Sequence, residues 1–348
     1  MSVNSIPSRP YRGLVDQWGR IARDLRISLT DRCNLRCSYC MPPEGLQWLP
    51  TEETLTDEEV MRLIRIAIEQ LGITEIRFTG GEPLLRKSLV DLVAFTHGLR
   101  TYLGTQPDIS LTTNALGLDK KAEALARAGL QRVNISMDSV DPQVYRHISH
   151  RDRLHDVFRG ITAARAAGLS PIKINAVAIR SVNDSGLTDL LRYSLQNGAE
   201  LRIIEHMPLG PRESWSRDNL VPRDEILEIL GAQFDLTPAP RTDLSAPATL
   251  WDVAAGADHP GGRVGIIASV TAPFCINCDR TRLTADGYMR TCLFARTETD
   301  LRTPLRSGAS DVEIADLWAR AMWDKKPGHG IDDPDFVQPD RYMSEIGG

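Results

Sequence analysis

A basic surplus is missing from this sequence: 41 Lys and Arg stand against 46 Asp and Glu, a formal net charge of -5 over 348 residues. Nucleic-acid modules usually carry a positive excess, so a generic polyanion binder is excluded and any anion site must be a local cluster of cations. No apolar run approaches the length that spans a bilayer, and the first residues, with Pro7, Pro10 and scattered arginines, lack the apolar core of a signal peptide. A soluble, cytoplasmic protein with neither membrane nor nucleic-acid partners is expected. Isolated cysteines are also lacking, since all six fall into two groups, Cys33/Cys37/Cys40 and Cys275/Cys278/Cys292. Buried structural thiols have no reason to be spaced so tightly. In a reducing compartment the grouping speaks for metal ligation over disulfides.

What the chain does have is 42% hydrophobic content, enough for a substantial core. From Asp24 to about Met207, β-rich runs alternate with helical ones at a period of roughly 30 residues, the pattern of successive βα units. The strand candidates are "LRISLT", "EIRFTG", "ISLTTN", "RVNISMD", "IKINAVAI" and "LRIIEHM". Amphipathic helices lie between them, such as "DEEVMRLIRIAIEQLG", where Thr56 and Glu59 have capping-box spacing and Gly72 suits the left-handed closing position. Gly129, Gly168 and Gly198 close later helices in the same way.

Period-two alternation places Arg26, Ser28 and Thr30 on one face of the first strand. The matching faces of the next four carry Arg77 and Thr79; Thr112 and Asn114; Asn134, Ser136 and Asp138; and Lys173 and Asn175. A flat parallel sheet covered by helices on both sides should be apolar on both. The expected fold is therefore α/β, an incomplete parallel (β/α)6 TIM-like barrel lining a wet, partly cationic cavity. Its open side needs a cover, and a C-terminal cluster-binding region is available for that. The boundaries read as an N-terminal arm over 1–23, a partial barrel over 24–210 and a C-terminal region over 211–348. In the last of these, a short helix is expected around Arg223 to Leu230, a loop-rich stretch from Pro238 to Gly262, and a helix near Val312 to Trp323.

Cys33, Cys37 and Cys40 follow the first strand, where catalytic loops of barrels belong. Three thiolates on one loop leave one iron of a cubane cluster without a protein ligand, and a vacant coordination site marks a reactive metal. Zinc is the other reading of a thiolate-rich site. The C-x3-C-x2-C spacing, with Tyr39 just before the last cysteine, closely resembles that of the radical S-adenosylmethionine (SAM) enzymes. In that family SAM chelates the open iron through its amino and carboxylate groups, and an electron from the cluster cleaves it to methionine and a 5′-deoxyadenosyl radical. The resemblance implies that Gly81, in "TGGEP", contacts the SAM amino group, that Ser136 and Met207 line the SAM pocket, and that Tyr39 reaches the adenine. Glu82 of the same turn reads as a nearby acceptor.

On spacing alone the second group, Cys275-x2-Cys278-x13-Cys292, could be a zinc site completed by His259, His329 or an Asp. Arg280 and Arg282, alternating directly after Cys278, are more cationic than a structural clip requires. Together, "RISLTDRCNLRCSYCMP", "RFTGGEPLLR", "LTTNA", "NISMDSVD", "KINAV", "IEHMPLG", "RLTADG" and the terminal Gly347-Gly348 resemble one radical SAM branch, the GTP-cyclising lyases that open molybdenum cofactor biosynthesis.

That resemblance implies two [4Fe-4S] clusters per chain, the second facing the guanine of GTP. It also implies GTP contacts from Arg26, Arg77, Thr112, Lys173, Arg202, Arg280, Thr281 and Arg282, with Arg280 and Arg282 as catalytic residues and the terminal glycines reaching the active site. A homodimer, an electron donor such as flavodoxin or ferredoxin, and cyclic pyranopterin monophosphate synthase as the downstream partner follow likewise. Strict alternation puts Arg202 and Met207 on opposite strand faces, so a bulge or an early strand end near Glu205 is required. Two other readings are a radical SAM peptide maturase, which usually has more C-terminal cysteines, and a non-catalytic zinc or iron-sulfur regulator.

Overall fold

The computed structural model describes residues 13–347. Residues 1–12 of the expected N-terminal arm, and Gly348 of the terminal pair, lie outside the described residues. All six strand candidates form: β1 (Asp24–Ser28), β2 (Glu75–Thr79), β3 (Asp108–Thr113), β4 (Arg132–Ser136), β5 (Ile172–Ala178) and β6 (Glu200–Glu205). They pair in chain order and all parallel, which a crossover helix between each pair permits. The first crossover contains α1 (Asp57–Arg65), whose Thr56/Glu59 capping box is present on both sides. A π-helical turn (Ile66–Gln70) prolongs it before the chain closes on Gly72 at φ +75°, a backbone state that L side chains resist. The later crossovers hold α2 (Leu89–Gly98), α3 (Ala122–Arg127), α4 (Pro142–Ser149) with α5 (Leu154–Ala166), and α6 (Leu187–Gln196).

The register explains the cavity. Arg26 lies opposite Arg77, Thr112 opposite Asn134, Asn134 opposite Lys173, Ser136 opposite Asn175, and Asn175 opposite Arg202. Residues in register share a face, so the polar positions of single strands merge into one polar wall. The alternate positions, among them Leu25, Ile27, Phe78, Leu111, Ile135, Ile174 and Leu201, are fully buried in the main core against the helices. Each such side chain stabilises the sheet by roughly 1.5–3 kcal/mol.

The C-terminal region adds α7 (Arg223–Gly231), β7 (Leu236–Pro238), β8 (Thr249–Val253), β9 (Gly262–Ile267), β10 (Arg280–Leu283), β11 (Tyr288–Arg290), β12 (Thr299–Asp300), α8 (Arg302–Arg306), α9 (Asp311–Trp323) and α10 (Met343–Ile346). Its strands extend the same sheet at both ends, in the order β12-β11-β10-β1-β2-β3-β4-β5-β6-β9-β8-β7. The sheet is mixed: β10 joins β1 and β9 joins β6 in parallel, and the outer strands are antiparallel. It therefore runs across the expected 210/211 boundary. The stretch from Pro238 to Gly262, expected to be loop, contains β8. Flanking Ala and Pro hide that strand in the sequence, although Thr249, Trp251 and Val253 favour extended backbone and pair it with β9. Among the described residues, no helix is long and apolar enough to cross a membrane.

Candidate active site

A cavity of about 430 Å³ opens on the polar face, and both cysteine groups line it. Arg26, Arg77, Lys173, Arg202, Arg280 and Arg282 line it too, as do Tyr39, Gly81, Thr112, Ser136 and Met207. The structure thus brings together all the expected site residues except Thr281. That side chain lies on the other face of β10, fully buried, where its hydroxyl accepts from Trp318 Nε1 at 3.2 Å. The correction follows from alternation: if Arg280 and Arg282 face the cavity, the residue between them cannot. Arg202 and Met207 do share the cavity, because β6 ends at Glu205 and the following turn, closed by Leu209 N donating to Met207 O at 2.9 Å, redirects the chain.

The loop of Cys33, Cys37 and Cys40 is held by backbone. Cys40 N donates to Cys37 O at 2.8 Å, Gly81 N to Thr30 O at 2.6 Å, and Glu82 N to Arg32 O at 2.8 Å. A Cβ on Gly81 would collide with the carbonyl oxygens of Asp31 and Arg32, and one on Gly210 with that of Tyr39. These two positions require glycine because the cysteine loop passes directly over them. Burial pushes the Cys33 thiol up to about 11, with Glu82 adding to it and Arg36 opposing, and pushes Cys40 up to about 12, with Cys33 and Asp138 adding to it. Tyr39 OH donates to Asp138 Oδ2 at 3.0 Å, and Val177 N donates to Asp138 Oδ1 at 2.9 Å.

Glu82 departs from its expected role. Its Oε1 accepts from Leu84 N at 2.9 Å and Thr113 Oγ1 at 2.7 Å, and its Oε2 from Asn114 N at 2.7 Å. The carboxyl is a buried tie between the turn after β2 and the end of β3, not an acceptor offered to the cavity. Burial outweighs these donors and raises it to about 7.

The second group rests on cations. Lys325 Nζ donates to Cys278 O at 3.1 Å, Cys278 Sγ at 3.4 Å and Arg280 O at 2.8 Å, while Arg280 Nη1 lies 3.7 Å from the same sulfur. Burial raises the Cys278 thiol, but Lys325 and Arg280 outweigh it and leave it below the ordinary thiol range. The Cys292 loop is pinned by buried Arg290, which donates to Glu298, to Ala295 O and, at 3.4 Å, to Leu293 O. Neither histidine considered as a fourth ligand is free for that role. His329 Nδ1 accepts from Ile331 N at 3.1 Å and its Nε2 meets Ser269 O at 2.9 Å, so both nitrogens are engaged by backbone. His259 stacks on Phe234, with ring centroids 5.1 Å apart, and does not line the cavity.

One carboxylate organises the cationic wall. Asp24 Oδ2 lies 3.6 Å from Arg26 Nε, 3.7 Å from Arg280 Nε and 3.8 Å from Arg77 Nη2. Burial alone would raise its carboxyl, yet the arginines hold it at about 2. Burial lowers Lys173 to about 8, with Arg202 beside it adding repulsion, and lowers Arg282 to about 10. At 3.6–3.8 Å Asp24 ion-pairs with the wall but does not satisfy it: Arg26 Nε, Arg77 Nε, Arg280 Nε and its own Oδ1 all lack a hydrogen-bond partner. Such a wall is short of anionic oxygens. Arg202 fits because Gly265 lies opposite it, where a Cβ would press on its side chain. Arg282 donates to Gly347 O, and the Gly347 backbone lies against Ser28 and Thr79.

The residues fit the clusters that the family resemblance implies. Each group offers three sulfurs to the cavity, neither histidine completes the second, and buried Lys325 beside Cys278 calls for a thiolate. Among the described residues, no three His, Cys, Asp or Glu groups gather around one ion. A cube differs in that it takes its thiolates on separate irons. Two single residues and one short segment of the site escaped the sequence reading. Asp24 shares the face of Arg26 by simple alternation and could have been found, whereas Lys325 and the cavity-lining Ala246–Ala248 turn lie far away in sequence and gave no signal.

The radical SAM superfamily model matches residues 27–193, and the "Molybdenum Cofactor Synthesis C" model matches residues 199–331. The chain is 60% identical to GTP 3′,8-cyclase of Corynebacterium glutamicum over 98% of this chain and 91% of that protein. It is 55% identical to the enzyme of the same name from Mycolicibacterium smegmatis, over 100% of this chain and 95% of that protein. Identity to the Streptomyces coelicolor GTP 3′,8-cyclase is also 55%, covering 96% of each. In fold it is similar to Streptococcus suis SuiB bound to S-adenosylmethionine, with a TM-score of 0.59 at 14% identity over 90% of this chain and 68% of that one. By full-length identity to these relatives, and with the cysteine pattern and cavity just described, the chain belongs to the GTP 3′,8-cyclase family of radical SAM proteins.

Proposed function

We propose that this chain is a lyase that cyclises GTP to 3′,8-cyclo-7,8-dihydro-GTP, the first step of molybdenum cofactor biosynthesis. The observation that carries the reading is the single cavity onto which two three-cysteine groups and six buried or half-buried cations open together. Cys33, Cys37 and Cys40 would hold one [4Fe-4S] cluster and Cys275, Cys278 and Cys292 a second. When bound, the first cluster would supply SAM with the electron for radical chemistry at the ribose of GTP, and the second would supply an iron site for the guanine.

The protein's own residues position and exclude. Tyr39, tied by its hydroxyl to Asp138, reaches the adenine. Gly81 leaves the SAM amino group a backbone neighbour without a side chain, and Ser136 and Met207 close the same pocket. Arg26, Arg77, Lys173 and Arg202 grip the triphosphate as charge-assisted donors, with Thr112 beside them. Arg280 and Arg282, in register with Asp24 and Arg26, carry the cationic wall to the second cluster and keep the nucleotide aligned. The parallel strands form a partial barrel over 24–210, and the region 211–348 covers its open side. A flavodoxin- or ferredoxin-type donor, a cyclic pyranopterin monophosphate synthase receiving the product, a homodimer and a cytoplasmic location belong to the same reading.

The test uses anaerobic, cluster-reconstituted protein with SAM and dithionite. Formation of 5′-deoxyadenosine with GTP, but not at the same rate with ATP, is expected. Equal turnover of the two nucleotides would refute the assignment of GTP as substrate.

A further inference from the structure

Lys325 is absorbed by none of these roles. It follows α9 directly and is only 2% exposed. An ammonium has three protons to donate, and all three are directed at one short segment: Cys278 O at 3.1 Å, Cys278 Sγ at 3.4 Å and Arg280 O at 2.8 Å. Ordering a lysine side chain costs rotamer freedom, which these three bonds offset. Its backbone is braced from two sides. Lys325 N donates to Met322 O at 3.1 Å, and Trp18 Nε1 donates to Lys325 O at 3.1 Å. The next residues are clamped by Arg20, which donates to Lys326 O at 2.6 Å, Pro327 O at 2.9 Å and Cys275 O at 2.7 Å. The hairpin of Leu14–Val15 with Ile21–Ala22 thus fixes the lysine and the cysteine turn to each other.

The first cysteine group has a different balance: its one close cation, Arg36, donates to Cys33 O at 2.8 Å rather than to a sulfur. Asp138 and Glu82 press on its thiols, and the side-chain donor nearest Cys33 Sγ is the neutral Asn114 amide at 3.9 Å. Adding an electron to a cluster adds negative charge, which a fixed cation at a ligand sulfur favours and nearby carboxylates oppose. We propose that Lys325 is a positioning residue for the second cluster: its N–H···S bond to Cys278 sets that cluster's reduction potential above that of the first. The two clusters of one cavity are thereby inequivalent as electron holders. This rests on the reading that the second cysteine group carries a cluster.

The experiment takes the full chain with Cys33, Cys37 and Cys40 all replaced by Ala, so that only the second cluster is held. Iron and sulfide are counted and the midpoint potential is read by electron paramagnetic resonance during a redox titration, in this parent and with Lys325→Met, Lys325→Gln or Lys325→Arg added. The neutral variants are expected to hold the electron roughly tenfold less well, a negative shift of about 59 mV for a one-electron couple. Lys325→Arg should keep most of the parent potential. Loss of iron from both neutral variants but not from Lys325→Arg would assign Lys325 to holding the cluster instead and overturn the proposal. A loaded parent with an unmoved potential in the neutral variants, an equal shift in Lys325→Arg, or iron loss from all three overturns it. A parent without iron and sulfide would instead overturn the cluster assignment, and the proposal with it.

Discussion

Replacing Asp24 by Asn leaves the cationic wall without its central anion. The carboxylate lies 3.6–3.8 Å from three guanidiniums, where each pair attracts by about 4 kcal/mol at an effective dielectric constant near 20. Burial takes back much of that gain. What survives is measured by the carboxyl's fall from 3.8 to about 2, worth roughly 2–3 kcal/mol at neutral pH. The sign is that of a depressed acid: the stabilisation is full above about pH 4 and lost as pH falls towards 2. Urea unfolding of Asp24→Asn without ligand should therefore show a deficit of about 2–3 kcal/mol at pH 7, shrinking as the pH falls through that window. GTP should stabilise the variant more than the wild type, because phosphate oxygens replace the missing anion and no carboxylate repels them. A deficit below about 0.5 kcal/mol at pH 7, or equal stabilisation of both proteins by GTP, would refute the view that Asp24 holds the wall together.

Gly210→Ala should push on the Tyr39 carbonyl and displace the first cysteine loop, lowering reconstituted iron from about eight to about four per chain; full iron loading would argue against that packing. With Lys173 lowered to about 8, GTP affinity should weaken as pH rises through 8, and Lys173→Met should bind less tightly by tenfold or more and lose that pH dependence in calorimetric titrations. Glu82, raised from 4.5 to about 7, makes the fold less stable as pH rises between those values, by about 3 kcal/mol. Glu82→Gln should abolish that slope in denaturation curves while costing roughly 1–3 kcal/mol for a donor left unmatched.

The strands and the polar wall were legible because both obey a period of two: Arg26, Arg77, Asn134 and Lys173 alternate with apolar neighbours, and register then stacks them. The early end of β6 was legible as a necessity, since Arg202 and Met207 could not otherwise meet. Glu82 was misread because its bonding partners, Thr113 and Asn114, come from the neighbouring strand, and one strand's pattern carries no information about what the next presents. Lys325 approaches Cys278 across 47 residues of sequence separation and the brace of Trp18 and Arg20. Nothing local to Lys325 distinguishes it from Lys326 beside it.

The most direct measurement uses GTP deuterated at C3′ of the ribose, with reconstituted protein, SAM and dithionite under anaerobic conditions. One deuterium in the recovered 5′-deoxyadenosine, together with a nucleotide product whose NMR spectrum shows a C3′–C8 bond, is the predicted result. Unlabelled 5′-deoxyadenosine, or GTP recovered unchanged while SAM is consumed, would contradict a cavity built to bring the ribose to the first cysteine group.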